Sequence, residues 1–293
     1  MRRLGPSAVL ASLMLWPFGG GVRALYRSLS PDDSFGQRTR YMNLGYWGDG
    51  ARNLDEAGDA MAARMARTAG LRSEDHVLDV GCGFGDSARY WSERCASVTA
   101  VNVSEEQLEV ARARHGDRVR FVQGDAAALP LESRAFDVVF GLESAFHVHP
   151  RVAFLREARR LLRPGGRLVL VDLCGVERRL GLLDRLGQLS TRAFWRIPRA
   201  NLVPPSSYAR QVAAAGFEEV VVESLYQAVH PPFKRHIKEQ LHLPEIRAKM
   251  TPFYVWMLEL SLALQARSNR PPPLDYVEVS ASVPDRDRTE EIG

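Results

Sequence analysis

Short apolar segments rich in β-branched residues recur along the chain from residue 71, and helical patterns separate them. Each segment is almost continuously apolar, which is typical of parallel strands buried on both faces of a sheet. The pattern therefore predicts a doubly wound α/β fold. The predicted strands cover residues 76–81, 97–103, 119–125, 136–141 and 167–173.

The pattern changes after residue 173. Residues 176–200 and 230–268 predict two helical insertions, which we expect to cap the sheet. Between them, residues 206–217 predict a helix and residues 218–224 predict a strand. Residues 274–283 alternate with a period of two, as a closing strand should. Together these elements predict a mostly parallel sheet of seven strands with helical cap insertions.

The predicted elements divide the chain into four parts. Residues 1–70 hold an apolar N-terminal segment and lid helices, and residues 71–175 form the core of the sheet. Residues 176–284 supply the rest of the sheet with its cap insertions. Residues 285–293 are strongly charged, which predicts a flexible tail.

The N-terminal segment admits three interpretations. Arg2 and Arg3 precede an apolar run at residues 8–22, as they would in a short secretory signal. The run is too short to span a bilayer, and Pro17 interrupts it. The alternatives are a helix packed over the active site, a membrane-surface anchor and a cleaved signal.

Composition narrows the classes of partner. Cys82, Cys95 and Cys174 form no CxxC pair, and no histidine stands at metal-ligand spacing from them, so a reducing compartment is favoured over a disulfide framework or a zinc site. The net charge of +4 comes from arginine spread through the chain, which argues against nucleic-acid binding. We expect a cytoplasmic protein without a metal, with peripheral membrane contact if the N-terminal segment is an anchor. The sequence does not indicate an oligomeric state.

A glycine-rich loop joins the first predicted strand to the next helix. The segment VLDVGCGFG at residues 77–85 places Gly81, Gly83 and Gly85 in this turn, and a helix follows at residues 87–91. Glycine permits positive φ and close approach of the backbone to a ligand, and a helix N-terminus favours anionic groups. Many dinucleotide-binding folds share such a loop, and a plain tight turn is the alternative.

The glycine loop is the first of several ordered motifs. The sequence D-V-G-C-G-F-G is followed by an S-x-x-Q helix, Q-G-D-A-A-A-L-P, F-D-V-V and L-L-R-P-G-G. These motifs cover about residues 75–175 and resemble a class I S-adenosylmethionine-dependent methyltransferase of the small-molecule branch, which includes natural-product O-methyltransferases and tocopherol- and sterol-type C-methyltransferases. The resemblance implies S-adenosylmethionine as the cofactor, bound by the core at residues 71–175.

The resemblance also assigns cofactor contacts by position. Asp125 would bind the adenine amino group, with Ala126 beside it. The family usually carries an acidic residue at the end of the second strand to accept both ribose hydroxyls, whereas this chain has Asn102, whose amide carbonyl carries no charge. We still expect Asn102 to bind the ribose, with Gln107 assisting. The methionine part of the cofactor would lie against Asp79, Gly81, Gly83 and Gly85.

A run of aromatic residues and glycine, YMNLGYW at residues 41–47, precedes the core. It resembles the segment that closes over the cofactor in sterol and other small-molecule methyltransferases, and the alternative is a plain aromatic packing cluster. Aromatic faces attract a sulfonium ion without competing as nucleophiles. The resemblance gives a lid role to Tyr41, Asn43, Tyr46 and Trp47.

The segment GLESAFHVH follows the fourth predicted strand, at the edge of the sheet where ligands bind. If the stretch is helical, Glu143 and His147 stand on one face, and a solvated ion pair is the alternative. The arrangement E-S-x-x-H resembles the same segment of tocopherol-type and sterol-type methyltransferases. We predict His147 as a general base, and Glu143 as the residue that orients it or stabilises a carbocation. His149 is expected directly before a helix.

Two further side chains are weaker candidates for contact with the acceptor. Asp172 ends the fifth predicted strand, where strand-end capping is the favoured interpretation. His230 opens the second insertion, where loop solvation is favoured.

The aromatic content of the insertions predicts an apolar chamber, so the acceptor is expected to be a hydrophobic small molecule. The leading hypothesis is O-methylation of a polyketide, aromatic or terpenoid hydroxyl with His147 as the base. The alternatives are C-methylation of a prenyl, sterol-like or phenolic acceptor, N-methylation, and a cofactor-binding protein that has lost methyl transfer.

Overall fold

The computed structural model describes residues 38–194, 196–244, 259 and 273–285. Within these residues, seven strands form one sheet. The strands are β1 (His76–Val80), β2 (Ser97–Asn102), β3 (Arg120–Gln123), β4 (Phe136–Leu142), β5 (Leu162–Cys174), β6 (Glu218–Ser224) and β7 (Asp275–Ser282). Their order across the sheet is β3-β2-β1-β4-β5-β7-β6, with β1 to β5 parallel and β7 antiparallel to both neighbours. The predicted mostly parallel, seven-stranded α/β fold is confirmed.

Helices lie on both faces of this sheet. Asn53 caps the first helix by accepting a hydrogen bond from the backbone N–H of Glu56 at 2.9 Å. Ser104, the first residue of the S-x-x-Q motif, caps the third helix by accepting one from the backbone N–H of Gln107 at 3.4 Å. The helices are α1 (Leu54–Ala69), α2 (Asp86–Ser92), α3 (Glu105–His115), α4 (Arg151–Leu161), α5 (Leu182–Phe194), α6 (Pro205–Ala214) and α7 (Tyr226–Gln240).

Two apolar layers hold the helices on the sheet. On one face, Met61 and Met65 of α1 and Trp91 of α2 are fully buried, and Trp91 stacks on Phe140 of β4 with ring centroids 4.2 Å apart. On the other face, α4 and α6 pack against the alternate side chains of the same strands. The strands are buried on both faces of the sheet, which explains why their sequences are almost continuously apolar.

The largest departures from the predicted bounds are at β5 and α7. Strand β5 begins at Leu162 rather than at 167, because Leu162 pairs with Phe136 across a register shift in β4. Helix α5 lies inside the predicted insertion at 176–200, whereas α7 begins at Tyr226, before the predicted start of the second insertion. The rest of that insertion, apart from residue 259, lies outside the described residues beyond 244.

The N-terminal apolar run at 8–22 and the charged tail from 286 also lie outside the described residues. The lid, anchor and signal interpretations of the N-terminal run therefore stay open. Among the residues that are described, no helix is both long enough and apolar enough to cross a membrane.

The carboxyl ends of the parallel strands meet at one edge of the sheet, the edge where ligands bind in open α/β folds. The glycine loop follows β1, Asn102 ends β2, and Glu143 follows β4 at this edge. Strand β7 runs in the opposite direction, so its beginning lies there as well, with Tyr276 opposite Leu173 of β5.

Candidate functional site

The glycine loop folds tightly against its own chain. Gly81, Gly83 and Gly85 have φ of +83°, +55° and +85°, a region that L side chains rarely adopt. A Cβ on Gly81 would overlap the Cβ of Ser144, and one on Gly85 would meet the Phe121 ring at 2.8 Å. The loop therefore requires glycine for its backbone conformation and for its packing, in addition to any ligand that it holds.

Asp79 supplies a buried acceptor beneath this loop. Its side chain is 1% exposed, and Oδ2 accepts a hydrogen bond from the Ser87 hydroxyl at 3.1 Å. Oδ1 has no partner among the described residues. Burial raises the pKa of Asp79 to about 7. An unpaired buried carboxylate oxygen fits the amino group of the cofactor's methionine part, which would satisfy it and favour its ionised form.

Asn102 and Gln107 lie together beside the loop, and both are buried. The Asn102 amide donates to Gln107 Oε1 at 2.7 Å and to the Gly83 carbonyl at 3.4 Å, while Asn102 Oδ1 accepts from the Val103 N–H at 2.9 Å. The two amides therefore pair at the end of β2. Their contact with a ribose remains a prediction.

Asp125 follows β3 and is exposed, whereas Ala126 is partly buried. One carboxylate oxygen of Asp125 accepts from the Ala127 N–H at 2.9 Å and closes a short turn. The second carboxylate oxygen can still accept from an adenine amino group, as the resemblance predicts.

The aromatic-glycine segment at 41–47 has no regular secondary structure, and buried residues alternate with partly buried ones from Tyr41 to Gly45. Tyr41 is buried against Gly58 and its hydroxyl donates to Asp59 at 3.0 Å, so it packs on α1. Asn43 accepts from the Gly45 N–H at 2.9 Å and shapes the local turn.

Met42 of this segment reaches the glycine loop, although the sequence did not indicate it. A Cβ on Gly83 would lie 3.0 Å from Met42 Cε, and the Gln107 amide donates to Met42 Sδ at 3.7 Å. No spacing in the sequence marks Met42, because its contacts join segments that lie far apart along the chain.

Tyr46 and Trp47 fasten the other end of the segment. The Arg64 guanidinium lies 5.1 Å from the centroid of the Tyr46 ring. The backbone N–H of Trp47 donates to the Ala228 carbonyl at 3.0 Å, and the Trp47 ring lies 5.0 Å from the His236 ring of α7. The segment therefore bridges α1 and α7, as a lid over this edge would. The contact of both side chains with a cofactor remains a prediction.

Glu143 ties the aromatic-glycine segment to the sheet. Its Oε1 accepts from the Leu44 N–H at 2.7 Å and from the Tyr276 hydroxyl at 2.6 Å. Burial raises the pKa of Glu143 to about 7, although these two hydrogen bonds oppose the shift. The sequence did not indicate Tyr276, because only the antiparallel direction of β7 brings it to this edge.

The helical arrangement considered for Glu143 and His147 is wrong. Glu143 has φ of +49° directly after β4, and only Ala145–His147 form a single 3₁₀ turn. The two side chains therefore do not share an α-helical face. His149 is exposed and stands just before α4, as predicted.

His147 is partly buried, with its ring centroid 4.0 Å from that of Phe146. Burial lowers the pKa of His147 to about 3, so the imidazole is neutral across the physiological range. A neutral imidazole at the ligand edge of the sheet can accept a proton.

Asp172 and His230 are the two weaker candidates for contact with the acceptor, and both contact other residues of the protein. Asp172 is fully buried and accepts hydrogen bonds from the protein itself, in agreement with a capping role. The expected solvation of His230 in a loop is wrong, because it lies in α7 between the rings of Tyr226 and Tyr276, at centroid distances of 5.0 and 5.8 Å. Burial, and secondarily the Lys234 charge, lowers its pKa to about 3.

Glu143→Gln is expected to change how stability depends on pH. Because the folded-state pKa of Glu143 is raised to about 7, the wild type loses stability as pH rises from the unfolded-state pKa through 7. The variant's amide keeps an acceptor for Leu44 and Tyr276 but cannot ionise, so its unfolding free energy relative to wild type should increase between pH 5 and pH 8. Urea unfolding at both values measures this difference. An unchanged difference would show that Glu143 is not buried as described.

Known proteins resemble this chain in sequence and in fold. Residues 78–170 match the family described as a methyltransferase domain. The chain is 32% identical to erythromycin 3''-O-methyltransferase of Saccharopolyspora erythraea over 90% of each protein. It is 32% identical to 27-O-demethylrifamycin SV methyltransferase of Amycolatopsis mediterranei, over 83% of this chain and 90% of that protein.

The fold comparison agrees with the sequence comparison. The cyclopropane synthase MmaA2 from Mycobacterium tuberculosis superimposes with a TM-score of 0.75 at 20% identity, over 89% of this chain and 96% of that one. The glycine loop, the unpaired Asp79 oxygen and the relatives agree on S-adenosylmethionine as the cofactor. This chain belongs to the class I S-adenosylmethionine-dependent methyltransferases, in the small-molecule branch that includes the O-methyltransferases of natural products.

Proposed function

We propose that this protein methylates a hydroxyl group of a hydrophobic natural product, with His147 as the general base. The observation that carries the proposal is the position of the partly buried His147 imidazole, in the 3₁₀ turn that follows β4 at the ligand edge of the sheet, where burial lowers its pKa and favours the neutral form. Of the two relatives named above, one is an O-methyltransferase by name and the other acts on an O-demethyl compound by name. Both names therefore favour oxygen as the acceptor atom, on a polyketide, aromatic or terpenoid scaffold.

The cofactor supplies an electrophilic methyl group on a sulfonium centre. The acceptor oxygen would become positively charged as it forms its new bond to carbon, so its proton must leave. His147 is a weak base, but a protonated ether is a far stronger acid than an imidazolium ion, and the transfer to His147 is downhill late in the reaction. A base that stays neutral at all working pH values is always ready to accept.

Glu143 and the aromatic-glycine segment support this step by closing the site. The bond from Leu44 to Glu143 holds the segment against the sheet, and the bond from Trp47 to Ala228 holds it against α7. A closed site excludes water, which would otherwise solvate the acceptor and compete for the methyl group.

C-methylation is the second candidate, and one cluster favours it. The rings of Tyr226 and His230 stack, the His230 ring meets the Tyr276 ring edge to face, and the Tyr276 hydroxyl donates to the Glu143 carboxyl group. Aromatic faces and a carboxylate can stabilise a carbocation formed on an alkene. In this case Glu143 would act on the acceptor and His147 would be dispensable.

Methyl-labelled S-adenosylmethionine incubated with a source-cell extract tests the proposal. The expected result is label in the lipid-soluble fraction, on an oxygen-bound methyl group identified by mass spectrometry and NMR. Label on carbon would replace the proposal by the second candidate. No label in either the lipid or the polar fraction, with cofactor binding demonstrated, would contradict methyl transfer to such an acceptor.

A further inference from the structure

We infer that Asn201 is a positioning residue, which clamps the backbone on both sides of His147 and thereby fixes the orientation of the imidazole. This inference rests on the proposed role of His147 as the base. Asn201 closes a short 3₁₀ turn, Arg199–Asn201, between α5 and α6 and is 2% exposed. It therefore comes from the insertion after β5, far along the chain from the segment that it holds.

One side-chain amide makes both hydrogen bonds of the clamp. Asn201 Nδ2 donates to the Phe146 carbonyl at 2.9 Å and to the Val148 carbonyl at 2.7 Å. These two carbonyls flank His147 directly. The His147 and Val148 N–H groups bond within the segment itself, to Ser144 and Ala145.

The clamp satisfies carbonyls that the single turn cannot. The last carbonyls of a helical turn have no partner in the turn and need side chains or water. Without Asn201, water would have to enter beside the proposed base to satisfy Phe146 and Val148, because buried carbonyls are rarely left without partners. The amide therefore keeps the segment both rigid and dry.

A closed ring of interactions fixes Asn201 in turn. Arg151, at the start of α4, donates to the Asn201 carbonyl at 2.9 Å and lies 3.4 Å from the Asp172 carboxylate. Asp172 accepts from the Phe146 N–H at 2.9 Å, which returns the ring to the clamped segment. The Tyr208 hydroxyl donates to Asp172 at 2.8 Å, beneath the Arg151 guanidinium.

All the side chains of this ring are buried, so they are not a set of solvated surface groups. Arg151 and Asp172 are 1% and 0% exposed, so water does not screen the attraction between their charges. Its polar groups converge on the backbone of one turn, and that turn carries His147. The arrangement is the one expected where a base must be held within a fraction of an ångström, since small misplacements lower rates strongly.

A double-mutant cycle tests the inference. Asn201→Ala, Asn201→Ser, His147→Ala and the Asn201→Ala, His147→Ala double variant are assayed for label transfer into the lipid-soluble fraction of a source-cell extract. Asn201→Ala is expected to lower the rate about 10- to 100-fold at saturating cofactor without weakening cofactor binding, with Asn201→Ser intermediate. In the His147→Ala background it should cause no further loss, because the clamp acts through the imidazole.

Hydrogen exchange of the peptide covering residues 143–150 provides a readout that needs no activity. Asn201→Ala should accelerate exchange there. Trp91→Phe is the matched control, because it removes a buried N–H donor to the Ala62 carbonyl, at 2.9 Å, in a hydrogen bond between α2 and α1 that involves no residue of this peptide. It should lower stability without changing exchange in this peptide.

Three outcomes would overturn the inference. The first is an equal fold loss from Asn201→Ala in the wild-type and His147→Ala backgrounds, and the second is faster exchange with an unchanged rate. The third is unchanged exchange in both Asn201 variants. If His147→Ala alone retains full activity, the proposed base is wrong, and the exchange result still decides whether Asn201 clamps the turn.

Discussion

Replacing His147 with alanine should lower kcat for methyl transfer by about 10²- to 10⁴-fold, the usual contribution of a positioned base. Binding of S-adenosylmethionine should be unchanged, because the residues predicted to hold it lie at the carboxyl ends of β1, β2 and β3, in the helix start after β2, and in the segment at 41–47, and His147 is not among them. The wild-type rate should show no acidic limb from His147 between pH 5 and pH 9, since burial holds its pKa at about 3 and the base is neutral throughout. The variant should instead gain rate with rising pH, as hydroxide ionises the acceptor hydroxyl.

His149→Ala is the matched control for this prediction. It removes an exposed imidazole two positions along the same segment, just before α4, and should leave the rate within about twofold. Single-turnover rates across the pH range, with cofactor affinity from calorimetry, measure both variants. A His147→Ala enzyme with the wild-type rate and pH profile would refute the base assignment and would favour C-methylation.

Replacing Gly81 with alanine should destabilise the protein by about 2–5 kcal/mol, a large part of the stability of a typical domain. The positive φ of +83° accounts for about 1–2 kcal/mol of this cost. The remainder comes from overlap with the Ser144 side chain, which cannot move freely because its hydroxyl donates to the Val80 carbonyl at 2.6 Å. Cofactor affinity should fall as well, because the loop must shift.

Gly50→Ala separates the two causes. Gly50 has φ of +81°, but a Cβ there would meet no atom within 4 Å, so this variant should lose only the conformational part. Combining Gly81→Ala with Ser144→Gly should recover part of the packing cost. Urea unfolding of these three variants and the wild type measures the differences, and equal losses for Gly81→Ala and Gly50→Ala would show that Ser144 does not constrain the loop.

The glycine loop and the helix start after β2 were predictable, because their signals are local. Gly81, Gly83 and Gly85 stand within one turn. Ser104 caps α3, which begins at the following residue, Glu105. Such features depend on residues a few positions apart, which sequence spacing specifies directly.

The surroundings of the proposed base were less predictable, because they depend on contacts between distant segments. Tyr276 reaches Glu143 only because β7 runs antiparallel to β5, and Asn201 reaches the turn at His147 from an insertion after β5. Neither residue type is rare or carries a spacing signal. The considered helix through Glu143 was wrong because the chain must leave β4 through a residue with positive φ to form the short turn.

By itself, the sequence determined the sheet, its parallel core, the glycine loop and the family, because apolar runs, turn residues and ordered motifs are properties of adjacent positions. Only the tertiary structure decided which side chains meet at the carboxyl edge: Met42 on the glycine loop, Glu143 between Leu44 and Tyr276, and Asn201 around His147. Those contacts join strands and insertions that are adjacent only after the sheet has formed. Strand order and strand direction determine which of these residues meet, and the spacing of residues along the chain specifies neither.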